Sequence, residues 1–66
     1  MTEIARYEPN LEISGRLAQA LKQRLDRRGI FAAVSGSIRL GYVVLVNDCD
    51  GKAARRIASN QQEVAL

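Results

Sequence analysis

The sequence predicts a single small α+β domain, residues 1–66, whose elements follow the order strand, helix, strand, strand, helix. Apolar residues recur every four positions across Ser14–Ile30, as in a helix that buries one side. Two apolar runs, Ile30–Ser35 and Ile38–Asn47, follow with turn residues between them, which indicates a β-hairpin. An aspartate-containing turn then leads into a second amphipathic segment that begins near Gly51.

The first strand is expected at Thr2–Tyr7, and Pro9 ends it. Asn10 and Ser14 are both candidate N-caps of the helix that follows, because short polar side chains accept hydrogen bonds from the first turn. We expect the helix to begin near Ser14.

The first helix has the clearest pattern in the chain. Its predicted buried stripe comprises Ile13, Leu17, Ala20, Leu21 and Leu25. The helix is expected to continue to Arg28 and to end at Gly29, since glycine adopts the left-handed conformation that closes a helix. Ile30 is then expected to fold back onto Leu25.

The hairpin is predicted from Ile30–Ser35 and Ile38–Asn47, with Ser35-Gly36-Ser37 as the turn. Val43–Val46 is an unbroken apolar run, so both faces of the second hairpin strand need cover. Phe31, at the start of the hairpin, is expected in the core.

The second helix is expected to be capped by Asp48 or Asp50. Its predicted inner face comprises Ala53, Ala54, Ile57, Ala58, Gln61 and Val64, and its outer face comprises Lys52, Arg55, Arg56 and Ser59. For residues 61–66 the sequence leaves three alternatives open: a helix extension, a frayed end or a short fourth strand.

If the first two strands are parallel, a right-handed crossover leaves a gap between them that the third strand fills. The result is a ferredoxin-like split β-α-β-β-α arrangement, a small antiparallel or mixed sheet with both helices on one face. The other face then has no cover, and a second copy or a different protein is expected to supply it. The predicted contact residues, at a sheet face or edge, are Tyr42, Val43, Val44 and Leu45.

The segments ALKQRLDRRGIFAAV and YVVLVNDCDGKAARRI carry a family resemblance. The matching positions are Leu25, Gly29, Ile30, Ala32, Val34, Val44, Val46, Asp48, Asp50, Ala54 and Ile57. Over about two-thirds of the chain, this pattern resembles the small ferredoxin-like family of putative prokaryotic signal-transducing proteins. The resemblance implies a role in protein interaction or sensing, without catalytic activity.

The sequence contains no catalytic or metal-binding pattern that we recognise. It has no histidine, so the most frequent general base and the His-containing triads are missing. Asp48, Cys49 and Asp50 do not fit the register of a calcium loop, and we interpret them as a helix start. Because the chain has one cysteine, no disulfide forms within it, and Cys49 is taken as a structural or incidental thiol. We expect no enzyme activity, no cofactor and no metal.

The basic residues are the clearest functional signal. The net charge is +3, and one exposed arc on each helix is basic. The arc residues are Arg16, Arg24 and Arg27 on the first helix and Lys52, Arg55 and Arg56 on the second. These arcs could merge into a surface that contacts phosphates or an acidic partner. No apolar run is long enough to span a membrane, and the start of the chain lacks a signal-peptide pattern, so a cytoplasmic location is expected.

Two functions follow as hypotheses. The first is a non-enzymatic, homodimeric protein-binding module that docks on and modulates a larger protein, as a bacterial regulator or a phage-type inhibitor of a host complex. The second is a nucleic-acid-binding module that uses the basic helix surface.

Overall fold

The computed structural model describes the backbone of residues 1–64 and the side chains of residues 1–59. It contains β1 (Thr2–Tyr7), α1 (Glu12–Arg27), β2 (Ala32–Ser37), β3 (Gly41–Val46), a short 3₁₀ turn (Asp48–Asp50) and α2 (Gly51–Val64). The predicted α+β class and the predicted element order are both confirmed. The helix extension is the alternative that applies to residues 61–64, whereas 65 and 66 lie outside the described residues.

The three strands form one sheet in the order β1-β3-β2. Both outer strands are antiparallel to β3, so β1 and β2 run parallel to each other with β3 in the gap, as predicted. Ala32 and Thr2 both lie opposite Val46, which aligns the strands at one end. In β1 the register shifts between Glu3 and Ala5, so Ile4 is an extra residue in that strand.

The core lies on one face of this sheet. It comprises Ala18, Leu21 and Leu25 of α1, Ile30, Ala32 of β2, Val44 and Val46 of β3, and Ala54 and Ile57 of α2. Because side chains alternate along a strand, Val44 and Val46 point to the same side of β3, where both helices meet them. Both helices therefore cover the same face of the sheet.

The predicted stripe of α1 is only half right. Leu21 and Leu25 are fully buried, but Ile13 is 56% exposed, Leu17 is 38% exposed and Ala20 is also exposed. A step of four residues turns a helix by about 40° more than one full turn, so a strict four-residue series rotates away from the core. In the first half of the helix, the buried residues are Ser14 and Ala18 instead of Ile13 and Leu17.

The start of α1 also differs from the prediction. The helix begins at Glu12, and the residue before it, Leu11, makes no side-chain capping hydrogen bond. Ser14 lies inside the first turn, where its hydroxyl donates a hydrogen bond of 2.7 Å to the carbonyl oxygen of Glu8. That bond satisfies the one buried polar side chain among the described residues.

The end of α1 confirms the prediction closely. Gly29 has a φ of +78°, and its amide donates to the carbonyl oxygen of Asp26 at 3.0 Å. The amide of Ile30 donates to the carbonyl oxygen of Leu25 at 2.9 Å, and the Ile30 side chain is buried. These two bonds are those of a Schellman motif, so the chain turns back toward the sheet at a fixed angle.

The hairpin forms, but its turn lies three residues later than predicted. β2 continues through Gly36 to Ser37, Ile38–Leu40 make the turn, and β3 begins at Gly41. Gly36 serves the strand because a Cβ there would collide with the carbonyl oxygen of Gly41. The amide of Asn10 donates to the carbonyl oxygen of Ile38 at 2.6 Å, which holds this turn against the loop before α1.

Gly29→Ala tests the closing motif. Nothing lies within 4 Å of the added Cβ, so the cost is the left-handed backbone alone, about 1 kcal/mol of unfolding free energy. Gly51→Ala is the matched control, since Gly51 is helical and its added Cβ meets only Thr2 at 3.7 Å. We expect the control to be neutral or stabilising in urea unfolding. Equal losses from both variants would contradict the motif.

Leu21→Ala and Leu17→Ala make the same chemical change on two sides of α1. Leu21 is fully buried, so its truncation leaves a cavity and should cost about 2–5 kcal/mol of unfolding free energy. Leu17 is 38% exposed and should cost about 1 kcal/mol. Thermal or urea unfolding of both variants measures the difference. A reversed order would show that the helix is rotated relative to the structure.

Candidate interaction surfaces

One face of the sheet is not covered by either helix. Val43 and Leu45 of β3 point to this side, and Ala33 of β2 lies opposite Leu45. Phe31, immediately before β2, extends the same side with 65% of its surface exposed. We call this surface the outer face; Val43, Leu45 and Ala33 are half-buried by their neighbours on it. Its centre is entirely apolar.

The exposure of Phe31 corrects the expectation that this ring is in the core. Ile30 fills the buried position after α1, and Ala32 faces the helices from the first position of β2. Because side chains alternate along the strand, Phe31 then points away from the helices. Alternation along β2 places Phe31 only once Ala32 is known to be buried, and the sequence alone does not establish that burial.

The four predicted contact residues divide between the two faces of β3. Val44 is fully buried, and Tyr42 packs against the core, with its ring within 3.5 Å of a Cβ built on Gly15. Val44 has no surface to offer a partner. The predicted surface is therefore narrowed to Val43 and Leu45.

An ion pair forms the margin of the outer face on β1. Arg6 Nη2 lies 2.7 Å from Glu3 Oε1, and the Glu3 carboxylate raises the pKa of the Arg6 guanidinium. Two residues three apart in a regular strand point to opposite faces, but the extra residue Ile4 brings both to the same side. Glu3 lies opposite Leu45 and Arg6 lies opposite Val43, so the two charges cancel beside the apolar centre.

On the other margin, β2 carries Ser35 and Ser37 opposite Val43 and Gly41. Hydroxyls and an internally neutralised ion pair thus surround the apolar centre, and the outer face has no net charge. This is the composition of an interface core with a polar rim.

The predicted basic residues lie on the helices, away from the outer face. Lys52, Arg55 and Arg56 are exposed on α2, and Arg16 and Arg27 are exposed on α1. A depression of about 430 Å³ lies on α1, lined by Ala20, Gln23, Arg24, Arg27 and Arg28. Among the described side chains, every lining residue belongs to α1 or its C-cap, so Lys52, Arg55 and Arg56 do not contribute to the depression. Arg28 was not among the predicted contacts.

The Asp48-Cys49-Asp50 segment connects β3 to α2 as a 3₁₀ turn, and Asn47, the residue before it, makes no side-chain capping hydrogen bond. The Asp48 carboxylate accepts a 2.6 Å hydrogen bond from the Thr2 hydroxyl and lies 3.6 Å from the Met1 amine. The Thr2 hydrogen bond, and then the amine, lower the pKa of Asp48. This contact ties β1 to the start of α2.

Cys49 is exposed. Within the part of the chain that the structure describes, no three cysteine, aspartate or glutamate side chains are grouped to hold a metal ion. In the same part, neither helix is long and apolar enough to cross a membrane.

Comparisons of the chain with models of protein families, with curated proteins and with solved structures find no match. The candidate sites therefore rest on the surfaces of this chain itself.

Asp48→Asn should lower the thermal midpoint at neutral pH, because the ionised carboxylate interacts favourably in the fold. Its folded-state pKa is lowered from an ordinary 3.8, so this stabilisation is present above that value. It is lost as the pH falls through the lower folded-state pKa. We expect the midpoints of the two proteins to converge between about pH 4 and about pH 2.

The matched control is Asp50→Asn, which removes a neighbouring charge that forms no ion pair among the described side chains. It should shift the midpoint at neutral pH less than Asp48→Asn does. A constant difference between wild type and Asp48→Asn across the acid range would contradict the role given to the charge.

Proposed function

We propose that this protein is a non-enzymatic protein-binding module that forms a homodimer through its outer face and, as a dimer, docks on and modulates a larger protein. The observation that carries this proposal is the exposure of Phe31 at one end of the apolar centre formed by Ala33, Leu45 and Val43, on a face without helix cover. A domain of 66 residues buries only about 60% of its unfolded surface, so burial of a further apolar face has a large effect.

The charge distribution favours a second copy as the occupant of this face. Eight of the ten basic residues lie on the two helices or at the C-cap of α1, and only Arg6 and Arg39 lie elsewhere. Two helix layers would repel each other, whereas two outer faces meet without net charge because Glu3 neutralises Arg6. A twofold interface uses the same patch on both copies, and this patch is compatible with itself.

The free edges of the sheet offer a second route to the same dimer. β1 carries Glu3 and Arg6 and an irregular register, features that oppose pairing with another strand. β2 has no charged residue and a regular register from Ala32 to Ser37, so it is the less protected edge. Phe31 adjoins both the outer face and this edge, and its burial supports either geometry.

We extend the proposal to the fold family. The order β1-β3-β2 with two helices on one side supports a ferredoxin-like arrangement without a fourth strand. On this basis the resemblance to the putative prokaryotic signal-transducing proteins supports a regulatory role in the cytoplasm. A bacterial regulator and a phage-type inhibitor of a host complex both fit a small module that acts by docking.

Phe31→Ser tests the proposed dimer. A dimer buries Phe31 twice, so losing about 1.5 kcal/mol per ring weakens association roughly a hundredfold. Sedimentation velocity at about 5–200 μM should show wild type as a dimer and Phe31→Ser as a monomer over most of that range. Leu40→Ser is the matched control, because Leu40 is 80% exposed but lies in the turn at the opposite end of the hairpin.

The control should associate like wild type. A wild-type monomer throughout this range, or equal weakening by both substitutions, would overturn the proposal. Hydrogen exchange separates the two geometries, since edge pairing protects the outward-facing amides of β2 and face packing leaves them exchanging.

A further inference from the structure

The solvent side of α1 forms a second surface, on the opposite side of the molecule from the outer face. We call it the arginine face; it comprises Arg16, Gln19, Ala20, Gln23, Arg24, Arg27 and Arg28. All of these residues are exposed except Arg24, which is half-buried. None of these seven residues is acidic; the exposed Glu12 lies one turn before Arg16 on the same side of α1 and forms no ion pair among the described side chains.

The arginines of this face have no ion-pair partner among the side chains that the structure describes. The pairs found there join Glu3 to Arg6, Lys22 to Asp26, and the N-terminal amine to Asp48. Asp26 is the only acidic residue in the second half of α1, and its carboxylate lies 2.9 Å from Lys22 Nζ. The guanidinium groups therefore keep their donors available for an external anion.

The arginine face is also concave. The short side chain of Ala20 lies among the longer Gln23, Arg24, Arg27 and Arg28 and leaves the depression of about 430 Å³. That volume is within the roughly 300–1,000 Å³ of small-ligand sites. Three arginines and one glutamine therefore line the same open depression.

The dipole of α1 opposes anion binding at this end but is too small to prevent it. The C-terminal end of a helix carries about −0.5 elementary charge. Arg24, Arg27 and Arg28 together contribute three positive charges beside it. The local charge stays clearly positive, and a polyanion is attracted.

We propose that the arginine face binds the phosphate backbone of double-stranded nucleic acid. Arg16 and Arg27 are eleven positions apart, which is about 16 Å along the helix and enough to contact successive phosphates. The glutamine amides between them are suited to phosphate and sugar contacts. A single strand fits less well, since Tyr7 and Tyr42 pack against the core and Phe31 lies on the sheet, so this face has no stacking ring.

The proposal goes beyond the proposed function, because the arginine face lies in the helix layer and leaves the outer face to the homodimer. Backbone contacts alone predict affinity without sequence preference and with strong salt dependence.

The test is fluorescence anisotropy of a labelled 20-base-pair DNA duplex, titrated with full-length protein at several salt concentrations. Arg24→Ala/Arg27→Ala/Arg28→Ala should weaken binding at least about 30-fold at low salt and make the slope of log K against log salt shallower by about 2 to 3. Lys52→Ala/Arg55→Ala/Arg56→Ala is the matched control, since it removes three exposed charges from α2. It should weaken binding less than about threefold.

Arg24→Lys/Arg27→Lys/Arg28→Lys keeps the charge and should retain most of the salt slope, and circular dichroism checks that each variant is folded. No binding by wild type at about 50 mM salt would overturn the proposal. So would equal losses in the α1 and α2 alanine variants, which indicate net charge alone. Tighter binding of a matched single strand than of the duplex would overturn the choice of ligand.

Discussion

The packing of Leu21 and Leu25 onto Val44 and Val46 is the interaction on which the other features of this molecule depend. These four are the largest fully buried side chains among the described residues. Their contact fixes which side of β3 meets the helices, and strand alternation then forces Val43 and Leu45 to the opposite side. On α1, the same contact fixes the rotation of the helix and turns the arginines toward solvent. Both candidate surfaces are consequences of one core.

The order of the elements could be predicted because local signals determine it. Gly29 and Ile30 encode a helix stop whose two hydrogen bonds depend on neighbouring residues alone. The features that were predicted wrongly depend on distant contacts. Gly36 is a residue typical of turns, yet it lies in β2, where a side chain would collide with the carbonyl oxygen of Gly41. That close approach is visible only once the two strands are paired. Likewise, Ile4 can be identified as an extra residue of β1 only from the pairing of β1 with β3.

The candidate surfaces could be predicted less well than the order of the elements, again because they depend on contacts between distant parts of the chain. A run of apolar residues on β3 indicates that both sides need cover, but it does not tell which residue points to which side. That assignment requires a reference residue whose side chain is known to be buried, and Ala32 and Val46 provide it only in the folded sheet. The rotation of α1 poses the same problem, since Leu17 and Leu21 are indistinguishable in the sequence. The depression around Ala20 follows from that rotation.

The two proposed surfaces are coupled through the geometry of the dimer. If two copies pack outer face to outer face, their helix layers point in opposite directions, and the two arginine faces contact separate duplexes. If β2 edges pair antiparallel instead, the sheet continues through both copies with all four helices on one side, so both arginine faces point the same way and one duplex can contact both. Doubling the phosphate contacts on one duplex raises both the affinity and the steepness of its salt dependence, because each contact releases counterions. Packing of the outer faces lets one dimer bridge two duplexes, but the salt dependence of binding to each duplex does not become steeper. The salt dependence of duplex binding, compared between dimer and monomer, therefore distinguishes pairing of the β2 edges from packing of the outer faces.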